Sequence, residues 1–332
     1  MKEGFYMEIH PFWHGYPELR KRLAKVNQVI HSHIRIKDQN IKGIINDVIN
    51  SGGKLLRPAY AILCSEIGPE QDEDKAIAIA AALETLHIAT LVHDDVIDQA
   101  ETRRGNATLH ELYDNKFAIY AGDYLFSVCF SIMSSYADSL STISYNTRSM
   151  EKILTGELEQ LHSRFQPPTS VKNYLSRISG KTAHLFALSC YIGAVESKAS
   201  RQIARRAWNM GHYIGMAYQI TDDILDYLGD GEKMGKPVMA DAKQGIYTLP
   251  LIYTMQHDKN AVTTILDKEE SLTNNDINQL MNLINQAQGI EKAQNIARRY
   301  TNKALQQLNK LPDGDYKDTL YQLTQQLLKR TT

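Results

Sequence analysis

The chain has 332 residues, enough for one large domain or two ordinary ones. Its 43% hydrophobic content supports a substantial core, and 37 basic residues against 38 acidic ones exclude both a disordered tail and a generally basic nucleic-acid binder. Glycine (19) and proline (9) are too sparse for collagen-like, low-complexity or turn-rich all-β designs, which leaves a mostly helical chain.

The first 17 residues hold Phe5, Tyr6, Phe12, Trp13 and Tyr16 among glycine and proline. They read as an arm that packs on a neighbour or as a loose tail. No basic segment leads into an apolar stretch and a cleavage site, so export is not expected and the chain is placed in the cytoplasm or at the membrane periphery. From Leu19 onward apolar residues recur at three and four: Leu23, Val26 and Ile30, then Ile41, Ile44, Ile45 and Val48. Gly52-Gly53 closes that helix and Pro58 opens the next at its first position. Ala76 to Val92 is apolar enough to suggest a membrane span, but Glu84 and His87 interrupt it, so it reads as a buried helix.

Helices are predicted at about Asp74 to Asp98, Leu109 to Met133, Ser141 to Arg164, Val171 to Val195 and Arg201 to Leu228. Loops fall near Gly68-Pro69, Pro167-Pro168 and Gly229 to Gly245. Two further stripes, Tyr300, Ala304, Leu308 and Leu311, then Tyr316, Leu320, Leu323 and Leu327, carry the pattern to the C-terminal third. No strand-like alternation of useful length occurs. The expectation is an N-terminal arm over 1–17 and a single all-α domain over 18–332. Cys64, Cys129 and Cys190 lie far apart in apolar stretches and read as buried thiols, because no Cys-x-x-Cys pair is present.

Chemistry is carried by two acidic clusters. In Leu86 to Gly105, Asp94 and Asp98 are four apart and share a helix face, with Asp95 about 100° round the axis from Asp94. Gln219 to Asp226 repeats the spacing with Asp222, Asp223 and Asp226. Three carboxylates in an otherwise apolar helix repel one another and resist burial unless a cation compensates them. Hard divalent ions suit them, and Mg²⁺ takes one or two carboxylates while leaving its other positions to water and phosphate oxygens. Basic residues stand where a phosphate ligand needs them: Arg103 and Arg104, Lys181 in Gly180-Lys181-Thr182, Lys236 in Gly235-Lys236-Pro237, and Lys54 and Arg57 in Gly52-Gly53-Lys54-Leu55-Leu56-Arg57-Pro58. No Walker sequence is present, which disfavours a P-loop nucleotidase.

This constellation resembles the trans-isoprenyl diphosphate synthases, or polyprenyl synthetases, from about Gly52 to Pro250, and within them the catalytic subunits of bacterial hexaprenyl and heptaprenyl diphosphate synthases. Gly-Gly-Lys-x-x-Arg-Pro, Leu-x-His-Asp-Asp-x-x-Asp with Arg-Arg-Gly following, Gly-Lys-Thr, and Gln-x-x-Asp-Asp-x-x-Asp followed by Gly-Lys stand in the family's order. The resemblance implies an orthogonal helical bundle around a deep central cavity, usually dimeric. It implies that Asp94, Asp98 and Asp222 bind Mg²⁺, three ions with substrate present, and that Asp95, Asp223 and Asp226 support them. Arg103, Lys181, Thr182, Gln219 and Lys236 would contact the allylic diphosphate, and Lys54, Arg57, His87 and Arg104 the isopentenyl diphosphate. His93 is read instead as a core histidine. Many relatives have a lysine in Gly-Lys-x-Thr-Leu-Pro where this chain has Ile246, which puts one diphosphate contact in doubt; Lys243 is the nearest cation in sequence.

The implied reaction ionises the allylic carbon–oxygen bond, shelters the carbocation in an apolar cavity, and lets the isopentenyl double bond attack it. Ala89 and Thr90, small residues five and four positions before Asp94, leave room for a growing chain, with Leu86, Phe126 and Ile132 as deeper stops. A medium to long all-trans product of six or seven units, built on farnesyl diphosphate for a quinone such as menaquinone, is therefore expected. The partner is expected to be a second copy or a small helical regulatory subunit, with transient membrane contact for product release. The alternatives are a class I terpene cyclase, whose second metal motif usually differs from Asp222 to Asp226, and a non-catalytic helical subunit, which has no need of six carboxylates.

Overall fold

The computed structural model describes residues 9–51, 53–136, 150–152, 154–159, 161–162, 164–166, 170–228 and 239–328. Its contacts divide the chain into two compact units, residues 1–145 with 189–204, and residues 146–188 with 205–332. Both are helical, and the fold is all-α.

In the first unit the arm from Ile9 packs on the chain itself. Trp13 is fully buried in a short turn over Pro11–Gly15, and its indole N–H donates to the Lys54 carbonyl at 2.7 Å. Helices follow at Pro17–Ser32, Gln39–Ile49 and Leu56–Cys64. Pro58 is the third residue of the last of these, two positions later than predicted, and still lies in the first turn, where a missing N–H costs nothing. Glu73–Ile97 begins at Asp72, whose carboxylate accepts from the Lys75 N–H at 3.0 Å, and its apolar residues are buried nearly all round. A protein core, not a bilayer, surrounds this helix.

The predicted helix from Leu109 to Met133 is broken. A single turn at Leu109–Leu112 stops at Tyr113, and Asp114 caps a new helix, Asn115–Tyr136, accepting from the Phe117 N–H at 2.7 Å. Between these helices and Asp98 the chain forms a two-residue hairpin, Thr102–Arg103 against Asn106–Ala107, which the absence of alternation did not suggest. The three cysteines are buried free thiols.

The helix predicted from Val171 to Val195, whose residues up to 188 belong to the second unit, is interrupted. Val171–Ile178, capped by Ser170, widens into a π-helical turn at Ser179–Ala183 before regular helix resumes at His184–Glu196. Such turns insert one extra residue and often mark functional positions. The long helix Arg201–Leu228 matches its prediction. Ala240–Lys243, Leu249–His257, Lys259–Leu266, Asn274–Gln286, Gly289–Asn309 and Asp315–Leu328 follow. Ala304, Leu308, Leu311, Tyr316, Leu320, Leu323 and Leu327 are buried, as the two C-terminal stripes require.

Asn274–Gln286 starts with a reciprocal capping box: Asp276 accepts from the Thr273 backbone at 2.9 Å, while its own N–H donates to Thr273 Oγ1 at 3.3 Å. Hydrogen bonds from the Lys268 ammonium and from Thr273 hold the Asp276 carboxyl down at about 2, against an ordinary 3.8. A depressed folded pKa contributes stability above the unfolded value and loses it as pH falls through the folded one. The melting-temperature deficit of Asp276→Asn should therefore be full at neutral pH and close as pH falls from 3.8 towards about 2.

Candidate active site

The first acidic motif ends the Glu73–Ile97 helix. Asp98 caps its C-terminus, its N–H donating to the Asp94 carbonyl at 2.8 Å, so Asp94 and Asp98 stand one turn apart and half-buried. Asp95 differs from both. It is buried, and Arg103 Nε donates to its Oδ1 at 2.7 Å. Burial pushes the Asp95 carboxyl up and the Arg103 guanidinium pulls it back.

The hairpin explains where the two arginines go. Arg104 and Gly105 form its two-residue loop with φ of 54° and 81°, the positive values a type I′ turn demands. Glycine adopts this freely, whereas an arginine there costs on the order of 1 kcal/mol. Burial and the charges of Arg57, Arg104 and Arg103 hold the His87 imidazole well below its usual range, so it is neutral at physiological pH. Three cations from two motifs thus gather on one histidine, two helical turns before Asp94. Lys54 is half-buried, its carbonyl held by Trp13. A cavity of about 660 Å³ in this unit is lined by Gly53, Glu84, Asp95, Arg103 and Arg104, with Ile88 among its apolar walls.

Of the proposed chain-length residues, Leu86 and Ala89 are fully buried. Thr90 is half-buried and donates from Oγ1 to the His87 carbonyl at 2.8 Å. His93 is half-buried; its Nε2 lies 3.1 Å from the Ile119 carbonyl and its ring packs on Phe126.

In the second unit a hydrogen-bonded chain links two motifs. Thr182 Oγ1 donates to Gln219 Oε1 at 2.6 Å, Gln219 Nε2 to Asp223 Oδ1 at 2.7 Å, and the Tyr174 hydroxyl to Asp223 Oδ2 at 2.5 Å. Lys181, inside the π-turn, pairs with Glu157 at 2.9 Å. Asp222 is exposed, and Asp226 accepts from the N–H groups of Ala240 and Asp241 at 3.1 and 3.3 Å. Lys236 lies outside the described residues. Ile246 and Lys243 are half-buried, and Arg177 Nη2 donates to the carbonyl of the neighbouring Tyr247 at 2.9 Å.

Glu157, Tyr174, Arg177 and Asp241 escaped the sequence reading, and Glu84 entered it only as a break in an apolar run. Glu84 had a signal, a lone carboxylate three residues before His87 in an apolar helix. Tyr174 stands two helical turns before Lys181, but a tyrosine at helical spacing reads as core. Because Tyr174 donates to a buried carboxylate, Tyr174→Phe should cost about 1.5–3 kcal/mol. A melting temperature equal to that of the wild type would show that the contact contributes nothing.

The electrostatics fit a divalent cation. Burial, then the charges of Asp226, Asp223 and Asp222, push the Asp241 carboxyl up to about 8. Burial, opposed by the hydrogen bonds from Tyr174 and Gln219, leaves Asp223 at about 6. Among the described residues no three His, Cys, Asp or Glu side chains form a metal cage. Pairs of carboxylate donors that leave the remaining positions to water and phosphate oxygens suit Mg²⁺.

Known proteins resemble this chain over most of its length. A profile described as polyprenyl synthetase matches residues 38–284. Over 316 residues the chain is 33% identical to heptaprenyl diphosphate synthase component 2 of Geobacillus stearothermophilus, covering 95% of this chain and 98% of that one. Its fold matches the crystal structure of a geranylgeranyl pyrophosphate synthase from Lactobacillus brevis with a TM-score of 0.91 at 38% identity, over 96% and 99% of the two chains. A heptaprenyl diphosphate synthase from Staphylococcus aureus matches with a TM-score of 0.89 at 33% identity, over 95% and 99%. The chain belongs to the polyprenyl synthetase family and is an all-α prenyltransferase, of the trans-polyprenyl diphosphate synthases that join isopentenyl diphosphate to an allylic diphosphate.

Proposed function

We propose that this enzyme extends farnesyl diphosphate to an all-trans hexaprenyl or heptaprenyl diphosphate for a quinone side chain. The observation that carries the site assignment is the gathering of Arg57, Arg103 and Arg104 on a neutral His87. Arg57, Arg104 and Lys54 hold the diphosphate of the isopentenyl substrate, and His87, being neutral, donates or accepts a hydrogen bond without adding charge. Arg103 and Lys181 meet the negative charge that builds on the departing allylic diphosphate, where cations already in place lower the barrier most. Thr182 and Gln219 orient that group, and Lys236 is assigned to it on the motif alone. Asp94, Asp98 and Asp222 hold Mg²⁺, which supplies Lewis-acid neutralisation of the leaving group when bound.

Small side chains support the chain length, since Ala89 and Thr90 place no aromatic ring on the helix leading to Asp94. The Geobacillus relative is named as component 2 of its synthase, which supports a heteromeric enzyme with a small helical subunit; a homodimer is the other arrangement. The protein acts in the cytoplasm and releases its lipid product at the membrane.

Purified protein with Mg²⁺, farnesyl diphosphate and labelled isopentenyl diphosphate should give products of six or seven units after dephosphorylation and reversed-phase thin-layer chromatography. Products stopping at four units would overturn the assigned length and match the activity named for the Lactobacillus relative. Turnover that appears only with a small helical subunit from the same genome would establish the heteromeric form.

A further inference from the structure

Glu84 lies inside the Glu73–Ile97 helix with 5% of its surface exposed. A buried carboxylate is costly unless cations compensate it. Burial raises its pKa, and the charges of Arg57 and Arg104 oppose that rise. The two cations come from separate parts of the chain, Arg57 from the first turn of Leu56–Cys64 and Arg104 from the hairpin tip with its unfavourable φ. Gly53 shows how closely they meet: a Cβ added there would lie 3.1 Å from Arg104 Nη1 and 3.4 Å from Glu84 Oε1. Guanidinium and carboxylate thus occupy space that a side chain at position 53 would contest. Glu84, Gly53 and Arg104 also line the same cavity as Arg103 and Asp95.

The charges around His87 divide accordingly. Arg103 is tied to Asp95, while Arg57 and Arg104 face Glu84. We infer that Glu84 is a positioning residue for the isopentenyl substrate, fixing Arg57 and Arg104 before the diphosphate arrives so that their ordering is not a cost of binding. The inference rests on the reading of Arg57 and Arg104 given above.

Its sign is diagnostic. If Glu84 merely offset charge, Glu84→Gln would leave a more positive site and tighten diphosphate binding. As a positioning residue, its loss should raise KM for isopentenyl diphosphate about tenfold, the scale of one lost ordering interaction, while KM for the allylic substrate stays within about twofold. Glu84→Asp, which keeps the charge, should recover part of the loss. An unchanged or lowered KM for isopentenyl diphosphate, or an equal rise for both substrates, would overturn the inference.

If circular dichroism shows Glu84→Gln unfolded, Gly53→Ala serves as the second variant. It keeps every charge but presses on the Arg104 guanidinium, and should produce the same selective rise at about threefold; an unmoved KM contradicts the inference. Calorimetric titration of wild type and variants with isopentenyl diphosphate alone reads the same affinity without turnover. A wild type that binds none of it overturns both readings, whereas a wild type that binds it and an equally tight Glu84→Gln overturn this one only.

Discussion

Replacing Asp94 or Asp222 by asparagine should lower turnover about a thousandfold, the scale of removing one fixed group that stabilises transition-state charge. The melting temperature of Asp222→Asn should stay level or rise. The reason lies in the contrast within each motif. Asp222 is exposed, and its charge helps push Asp223 and Asp241 upward, so its removal relieves repulsion in the resting protein. Asp95 and Asp223 are buried and bound to Arg103 and to Tyr174 and Gln219. Their asparagine variants should lose about 1–3 kcal/mol of stability by leaving buried donors poorly matched. Kinetics at saturating Mg²⁺ together with thermal melts separate the two classes. Equal destabilisation by Asp222→Asn and Asp223→Asn would show that the second motif is not divided in this way.

A phenylalanine at position 90 or 89 should shorten the product by several isoprene units. Thr90 is half-buried and makes only a local hydrogen bond to the His87 carbonyl, so Thr90→Phe can keep the fold while adding a ring beside the path of the growing chain. Ala89 is fully buried, and Ala89→Phe must also displace packed neighbours, at about 1–3 kcal/mol. The same truncation with a lower melting temperature is expected there. Unchanged product lengths in Thr90→Phe would refute this placement of the elongation path.

Much of the molecule was legible in its sequence because helical periodicity and buried carboxylates leave clear marks. Glu73–Ile97 and Arg201–Leu228 were found almost to their ends, and the acidic motifs stood out because aspartates are rare among Ile, Leu and Val. Three features were less visible for physical reasons. The π-turn at Ser179–Ala183 falls on Ser-Gly-Lys-Thr-Ala, which has too few apolar residues to show the added residue in the period. The break at Tyr113 hides because that period continues on both sides, although Asp114 before Asn115 is a capping signal. Asp241 reaches the second cluster because the N–H groups of Ala240 and Asp241, fourteen and fifteen residues from Asp226 in sequence, donate to its carboxylate, and only tertiary structure brings them together. Glu84 was visible as the charge that marks this run as a buried helix, but only tertiary structure brings it under the influence of Arg57 and Arg104.

The central claim is that the two acidic motifs and the arginines of this chain perform prenyl transfer. It is tested most directly by incorporation of labelled isopentenyl diphosphate into an organic-extractable product by the purified protein. The account predicts incorporation that requires an allylic diphosphate, ceases with EDTA and returns with added Mg²⁺. No incorporation under those conditions, alone or with a small helical subunit from the same genome, would contradict it.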